Sequence, residues 1–172
     1  RDRLRSRGLG DVYKRQQLRP DGYAKFYKTL YDLWLEDYRK GEYRSISLFD
    51  NILLMLTDRV PNQCGMLGSC NMQFVVEADG SVYPCDFYVL DEYCCGNVVE
   101  HSVEEIGNSD GWKRFWEKKN KTERSCEDCP FWKICRGGCK RQQGSYLWED
   151  GCAYREFLEY AYPTLQIIAR EI

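Results

Sequence analysis

The sequence has no long apolar run. Its most hydrophobic stretch, Ile46 to Leu56, is interrupted by Asp50 and Asn51 and falls far short of the ~20 apolar residues that a membrane-spanning helix needs. The chain opens on Arg1 with no apolar h-region behind it, so no secretory signal is expected. It has little net charge, −2 over 172 residues, which gives no footprint for nucleic acid. It shows no internal repeat and no low-complexity tract. With Gly 14, Pro 5, 43% hydrophobic and 15% aromatic residues, it is neither collagen-like nor wholly disordered. As one domain, a chain of this length can bury roughly 70% of its unfolded surface.

Histidine is nearly absent, and cysteine is what stands out: one His against ten Cys. Three explanations compete: a secreted disulfide scaffold, structural zinc and iron–sulfur clusters. Disulfide scaffolds are usually smaller than this chain and carry an export signal. Spacing has to separate the other two.

The first sixteen residues read differently from the rest. They hold six Lys and Arg against Asp2 and Asp11, with Gly8, Gly10 and no apolar period. A basic arm for nucleic acid is one reading. The segment reads better as a disordered or foreign tail, similar to translated adapter sequence, and is set aside.

From Pro20 to Gly41, the residues Phe26, Leu30, Leu33, Trp34 and Tyr38 recur near three- and four-residue steps and predict a helix that stops at Gly41. A second helix is predicted from about Ser45 to Asp58 on Ile46, Phe49, Ile52, Leu53 and Leu56. Asp79-Gly80 lies between Phe74-Val75-Val76 and Val82-Tyr83, a hairpin signal. Ser102 with Glu105 reads as a capping box. Trp112, Phe115 and Trp116 predict another short helix, and the stretch from Cys126 to Gly144 is expected to be looped. A final helix is predicted from Cys152 through Tyr154, Phe157, Leu158 and Tyr160, with Pro163 as a kink point. The fold class expected is α+β.

The sharpest cysteine run is Cys126-x2-Cys129-x5-Cys135-x3-Cys139. A Cys-x2-Cys pair turns two thiolates toward one site, and zinc and iron–sulfur clusters both accept that arrangement. Gly137 and Gly138 permit the tight backbone such a loop needs. Upstream, Cys70 precedes one hairpin arm and Cys85 ends the other, so the turn at Gly80 brings them together, with Cys64 near enough to join. Two four-cysteine sites use eight thiols. Cys94 and Cys95 are left over, because neighbouring side chains diverge.

The full order resembles the seven-cysteine signature of the SPASM domain: Cys70-x9-Gly80-x4-Cys85, a gap, Cys126-x2-Cys129-x5-Cys135-x3-Cys139, a gap, and Cys152. SPASM is the C-terminal auxiliary-cluster module of certain radical S-adenosylmethionine enzymes. YPCDFYVLDEY (Tyr83 to Tyr93), GNV (Gly96 to Val98), CRGGCKR (Cys135 to Arg141) and the tail CAYREFLEYA are similar to the anaerobic sulfatase-maturating enzymes. The likeness covers roughly residues 20–172. Cys94 and Cys95, directly after DEY, depart from the family's usual pattern. That family oxidises a sulfatase Cys or Ser to formylglycine, using a Cys-x3-Cys-x2-Cys motif in an N-terminal barrel. No three cysteines here have that spacing, so the likeness implies a C-terminal fragment. Residues 17–60 would be the helical end of the barrel and its connector, and 61–172 the SPASM domain.

The resemblance also implies the ligand sets: Cys64, Cys70, Cys85 and Cys139 for a first auxiliary [4Fe–4S] cluster, and Cys126, Cys129, Cys135 and Cys152 for a second. S-adenosylmethionine and a third cluster belong to the missing barrel. By the same likeness, Asp86 is the base that deprotonates the substrate. Without the motif it would read as a turn-capping or solvated residue. The implied partners are a sulfatase polypeptide and a ferredoxin or flavodoxin, in the cytoplasm.

Asp91, Glu92 and His101 read as loop residues, and Lys113, Arg114, Lys118, Lys119 and Lys121 as a solvated helix face. Lys140 and Arg141 are candidates for tuning a cluster. The competing readings are a four-cysteine zinc module and a SPASM enzyme with a different target residue.

Overall fold

The structure is a computed structural model and describes residues 18–118, 126 and 128–172. The basic segment 1–16, Lys119 and Lys121 lie outside the described residues. In chain order the elements are α1 (Pro20–Arg39), α2 (Ser47–Leu56), β1 (Val75–Val76), β2 (Ser81–Tyr83), β3 (Gly96–Asn97), α3 (Val103–Gly107), α4 (Asp110–Glu117), α5 (Trp132–Cys135), β4 (Leu147–Trp148), β5 (Gly151–Cys152) and α6 (Ala153–Ala169). Single 3-10 turns occur at Cys64–Met66, Asp86–Tyr88, Asp91–Tyr93 and Gln143–Ser145. Helices plus small antiparallel sheets make the expected α+β class.

Two compact units hold these elements: residues 71–118, and residues 18–70 with 126 and 128–172. Helices α1 and α2 therefore share a unit with α6 rather than standing apart from everything after residue 60.

In the helical unit, apolar spacing selects the packed faces. Tyr31 and Trp34 of α1, Phe49, Ile52 and Leu53 of α2, and Tyr154, Phe157, Leu158, Ala161, Leu165 and Ile168 of α6 are all buried in one core. Phe157 lies at its centre, with the Phe49 ring stacked at 5.8 Å and the Tyr27 and Tyr31 rings at 5.7 and 6.2 Å. Helix α1 ends as expected: Glu42 N–H donates to Asp37 O and Gly41 N–H to Tyr38 O, a Schellman closure. Helix α6 runs unbroken past Pro163.

The second unit is built on the hairpin. β1 pairs antiparallel with β2, Val75 opposite Tyr83 and Val76 opposite Val82. Gly80 takes φ +83°, the left-handed position that closes a three-residue loop. The strand β3 adds to β2, which the sequence did not announce. Val82, Cys95, Ile106 and Trp112 form this unit's own core. Ser102 accepts from Glu105 N–H while the Glu105 carboxylate accepts from Ser102 N–H, the expected capping box. Those hydrogen bonds hold the Glu105 carboxyl below its ordinary range. His101 sits in the loop and accepts from Asn97 N–H. Lys118 lies 5.2 Å from the Tyr88 ring centre and 5.5 Å from that of Tyr93.

One departure concerns Asn51, which in the sequence only interrupts an apolar run. It is 3% exposed. Its Nδ2 donates to Ser47 O at 2.7 Å, and its Oδ1 accepts from the N–H groups of Asn62 and Gln63. One amide side chain thus fastens the loop that leads into Cys64. Replacing Asn51 with Ala strands those donors and is expected to cost about 1–3 kcal/mol. Denaturant melts would read the loss, and loosened amide exchange at 62–66 would locate it. An unchanged exchange pattern there would show that the loop holds itself.

Candidate metal centre

The loop from Cys126 to Gly144 is less irregular than expected. Phe131 N-caps a one-turn helix, α5, that ends on Cys135. The next three residues all take positive φ: Arg136 at 49°, Gly137 at 84° and Gly138 at 68°. This left-handed run reverses the chain between Cys135 and Cys139, and two glycines make it affordable. Gln143 Nε2 donates to Gly137 O at 2.7 Å and Tyr146 Oη donates to the same carbonyl at 3.4 Å, so the reversed loop is held from outside.

Four thiols meet inside this unit. Cys126, Cys129, Cys135 and Cys152 line one cavity, walled by Phe131, Trp132, Tyr146, Leu147, Tyr154 and Leu158. Cys152 is also the N-cap of α6, where its sulfur accepts from Arg155 N–H at 3.4 Å. Burial pushes the Cys135 thiol up to about 12, with Cys152, Cys126 and Cys129 adding to the rise and a Gly137 hydrogen bond opposing it. The Cys152 thiol is raised in the same way, while the helix-end hydrogen bonds of Arg155 and Tyr154 pull it down. As free thiolates these groups would repel one another in an apolar site. A bound cation reverses that balance.

A second set gathers nearby in the same unit. A Cβ placed on Gly65 would lie 3.0 Å from the Cys139 Cβ, so the Cys64 turn rests directly on Cys139. Burial raises the Cys70 thiol; Lys140 draws it down, and Cys139 and Cys64 push it up. Cys64, Cys70 and Cys139 are thus neighbours, with a lysine beside them. Cys139 does not line the cavity of the other four, although sequence spacing groups it with Cys126, Cys129 and Cys135. Cys85 belongs to the hairpin unit, where it lies two residues beyond β2 and caps the start of the turn at Asp86.

Asp86 is exposed on that turn. Its Oδ1 accepts from Phe87 N–H at 3.1 Å and from the Cys85 thiol at 3.3 Å. Asp91 and Glu92 are exposed as expected. Of the leftover cysteines, Cys95 is a core residue, 4% exposed, packed with Val82, Ile106 and Trp112. The sequence reading of a plain loop residue understated it.

Among the described residues, none of the ten cysteines forms a disulfide. Among the described residues no three His, Cys, Asp or Glu side chains draw close enough to grip one metal ion. Zinc needs four sulfurs about 2.3 Å from a single centre. An iron–sulfur cluster takes one thiolate at each iron and accepts a wider set. The Tyr154 hydroxyl, buried beside the four thiols with no hydrogen-bond partner among the described residues, also fits a group with sulfur acceptors inside that cavity.

Comparison with known proteins finds an iron–sulfur-binding family over part of this region. The family model described as SPASM, iron–sulfur cluster-binding domain, matches residues 64–130. The chain is 42% identical over 163 residues to a cysteine-type anaerobic sulfatase-maturating enzyme of Clostridium perfringens, covering 90% of this chain and 44% of the relative. It is 26% identical over 162 residues to a serine-type counterpart from Bacteroides thetaiotaomicron, covering 89% and 38%. Solved structures of anSMEcpe with bound AdoMet, alone and with the Kp18Cys peptide, superpose with a TM-score of 0.77 at 40% identity, over 90% of this chain and 44% of theirs. The chain therefore spans less than half the length of the curated relatives it matches. The likeness to the sulfatase-maturating enzymes holds along nine-tenths of it.

Gly138 tests the local geometry. A Cβ there would collide with the Tyr146 hydroxyl, and the left-handed φ adds strain. Gly138→Ala is expected to cost about 2–4 kcal/mol, combining backbone strain and overpacking. At Gly144, where a Cβ meets nothing within 4 Å, Ala should change stability by less than about 0.5 kcal/mol. Paired denaturation curves decide it; equal costs at the two sites would mean that Tyr146 simply moves aside.

Proposed function

We propose that this chain is the auxiliary-cluster part of an anaerobic sulfatase-maturating enzyme of the radical S-adenosylmethionine class, which oxidises a sulfatase side chain to formylglycine. The observation that carries the reading is the gathering of Cys126, Cys129, Cys135 and Cys152 on one aromatic-walled cavity. In this reading those four hold one [4Fe–4S] cluster. Cys64, Cys70 and Cys139, with Cys85 as the fourth thiol, hold another. When bound, such a cluster supplies a site that accepts one electron.

The chain's own residues then divide the work. The N-cap of α6 and the Gly137 amide stabilise ligand sulfurs as thiolates. Lys140 does the same for Cys70. The aromatic wall excludes water. Asp86 serves as the base: its carboxylate takes the proton that must leave the target side chain along with a hydrogen atom, so that one electron remains to be carried away. Its exposure leaves it reachable by a polypeptide substrate. The target side chain is proposed to be cysteine, because the cysteine-type relatives are closer, at 42% against 26% identity, and a solved neighbour holds a Kp18Cys peptide. S-adenosylmethionine and its own cluster belong to the part of the enzyme that this chain does not span, since no Cys-x3-Cys-x2-Cys occurs in it. A ferredoxin or flavodoxin carries the electron away, in the reducing cytoplasm, where cysteines outside the clusters stay reduced.

Metal analysis tests the reading. Anaerobically reconstituted chain should be brown and carry about eight irons with matching labile sulfide, four per cluster. Cys129→Ala should reduce this to about four and loosen exchange protection along α6, because ligation is coupled to folding. Stoichiometric zinc without sulfide sinks the proposal.

Asp86 gives a second test, in the whole enzyme. Asp86→Asn keeps shape and loses proton affinity. Formylglycine formation on a cysteine peptide should fall by about 10² to 10⁴ with iron content unchanged, and Asp91→Asn should be milder. Wild-type turnover in Asp86→Asn would return the residue to the role of a turn cap.

A further inference from the structure

Tyrosines crowd the four-thiol cavity, and one of them is anomalous. Tyr146 donates its hydroxyl to Gly137 O. Tyr31, further along the same core, donates to Ala161 O at 3.4 Å. Tyr154 Oη is buried and has no hydrogen-bond partner among the described residues. A buried hydroxyl without an acceptor is costly and rare. The ring cannot swing out to find one. It is stacked on Phe157 at 6.2 Å, met by Tyr146 at 5.8 Å, and met edge-on by Tyr23 at 6.3 Å. Its residue lies at the start of α6, two positions after Cys152, so the helix aims it back at the thiols. It lines their cavity together with all four.

We propose that the Tyr154 hydroxyl donates a hydrogen bond to sulfur, ligand or inorganic, of the cluster held by Cys126, Cys129, Cys135 and Cys152, and thereby raises that cluster's reduction potential. This rests on the cluster reading above. The physical basis is charge. Reduction adds an electron that spreads over the cluster sulfurs, and a donor aimed at sulfur favours the more negative state; hydrogen bonds to the sulfurs are among the factors that set these potentials. In a dry aromatic site with few other donors, one hydroxyl has a large share of that control. Tyr154 is therefore a tuning residue, not a ligand.

The experiment uses the full chain reconstituted anaerobically, with Tyr154→Phe beside wild type. Iron and sulfide are assayed first, and both proteins should carry two clusters. A wild-type chain that takes up only one cluster, or zinc, overturns the cluster reading itself. With two clusters present in each, a redox titration followed by electron paramagnetic resonance should show one of the two midpoints moved lower in Tyr154→Phe. The expected change is about tenfold in electron affinity, about 59 mV for a one-electron couple. Wild type reconstituted in deuterium oxide should show coupled exchangeable deuterons at that cluster, and the variant should lack one of them, keeping those of the backbone N–H groups at Cys152 and Cys135. The apoprotein gives an independent reading. There the hydroxyl has no acceptor to lose, so Tyr154→Phe should unfold no earlier than wild type. Unmoved midpoints with full iron, or a deuteron signal undiminished from wild type, overturn the proposal.

Discussion

Everything in the helical unit turns on the cost of placing several thiols in one apolar space. Burial raises the Cys135 and Cys152 thiols, and the neighbouring Cys126 and Cys129 add to the rise. Such a group is tolerable only as neutral thiols or as thiolates bound to a cation. The fold surrounds them with devices that favour the second state: the N-terminus of a 17-residue helix at Cys152, and a loop amide at Cys135. The aromatic wall, the left-handed reversal at 136–138 and the Gln143 and Tyr146 braces on Gly137 then follow as the scaffolding of that site. The α1, α2 and α6 core is the base on which it stands.

The same logic explains why the two thiol sets interleave along the chain. A set built only from neighbours in sequence would need one loop to present four sulfurs. Here the stretch before α5 delivers Cys126 and Cys129, the end of α5 delivers Cys135, and the junction of β5 with α6 delivers Cys152. The reversal after Cys135 sends Cys139 toward the Cys64 turn. The loop before that turn is in turn fixed by Asn51 from within α2. Each set therefore binds distant stretches together, so that ligation and folding depend on one another.

The hairpin unit has a different character. Its core is small, centred on Val82, Cys95, Ile106 and Trp112, and much of its order is local: a capping box at Ser102, a left-handed glycine at the turn, an asparagine amide (Asn97) donating to Asp79 O at 2.8 Å. It carries the two residues through which the proposed chemistry reaches outward, Cys85 and Asp86, on consecutive positions of one exposed turn. In that proposal, a base beside a ligand residue would keep proton removal close to electron removal.

Local chemistry was legible in the sequence because it depends on residues a few positions apart. The helices at 20–39, 47–56 and 153–169, the turn at Gly80, the Ser102–Glu105 box and the need for glycine between Cys135 and Cys139 all follow from spacing and backbone freedom. The thiol count and order were enough to suggest a metal-binding family. Spacing alone left open which set Cys139 joins, passed over Asn51 as an interruption, took Cys95 for a loop residue, and gave no sign that Tyr154 would lack an acceptor among the described residues. These features are set by which distant segments meet. Burial, an unpaired donor and mutual repulsion between thiols exist only after the chain has closed on itself, so only the tertiary structure decided them.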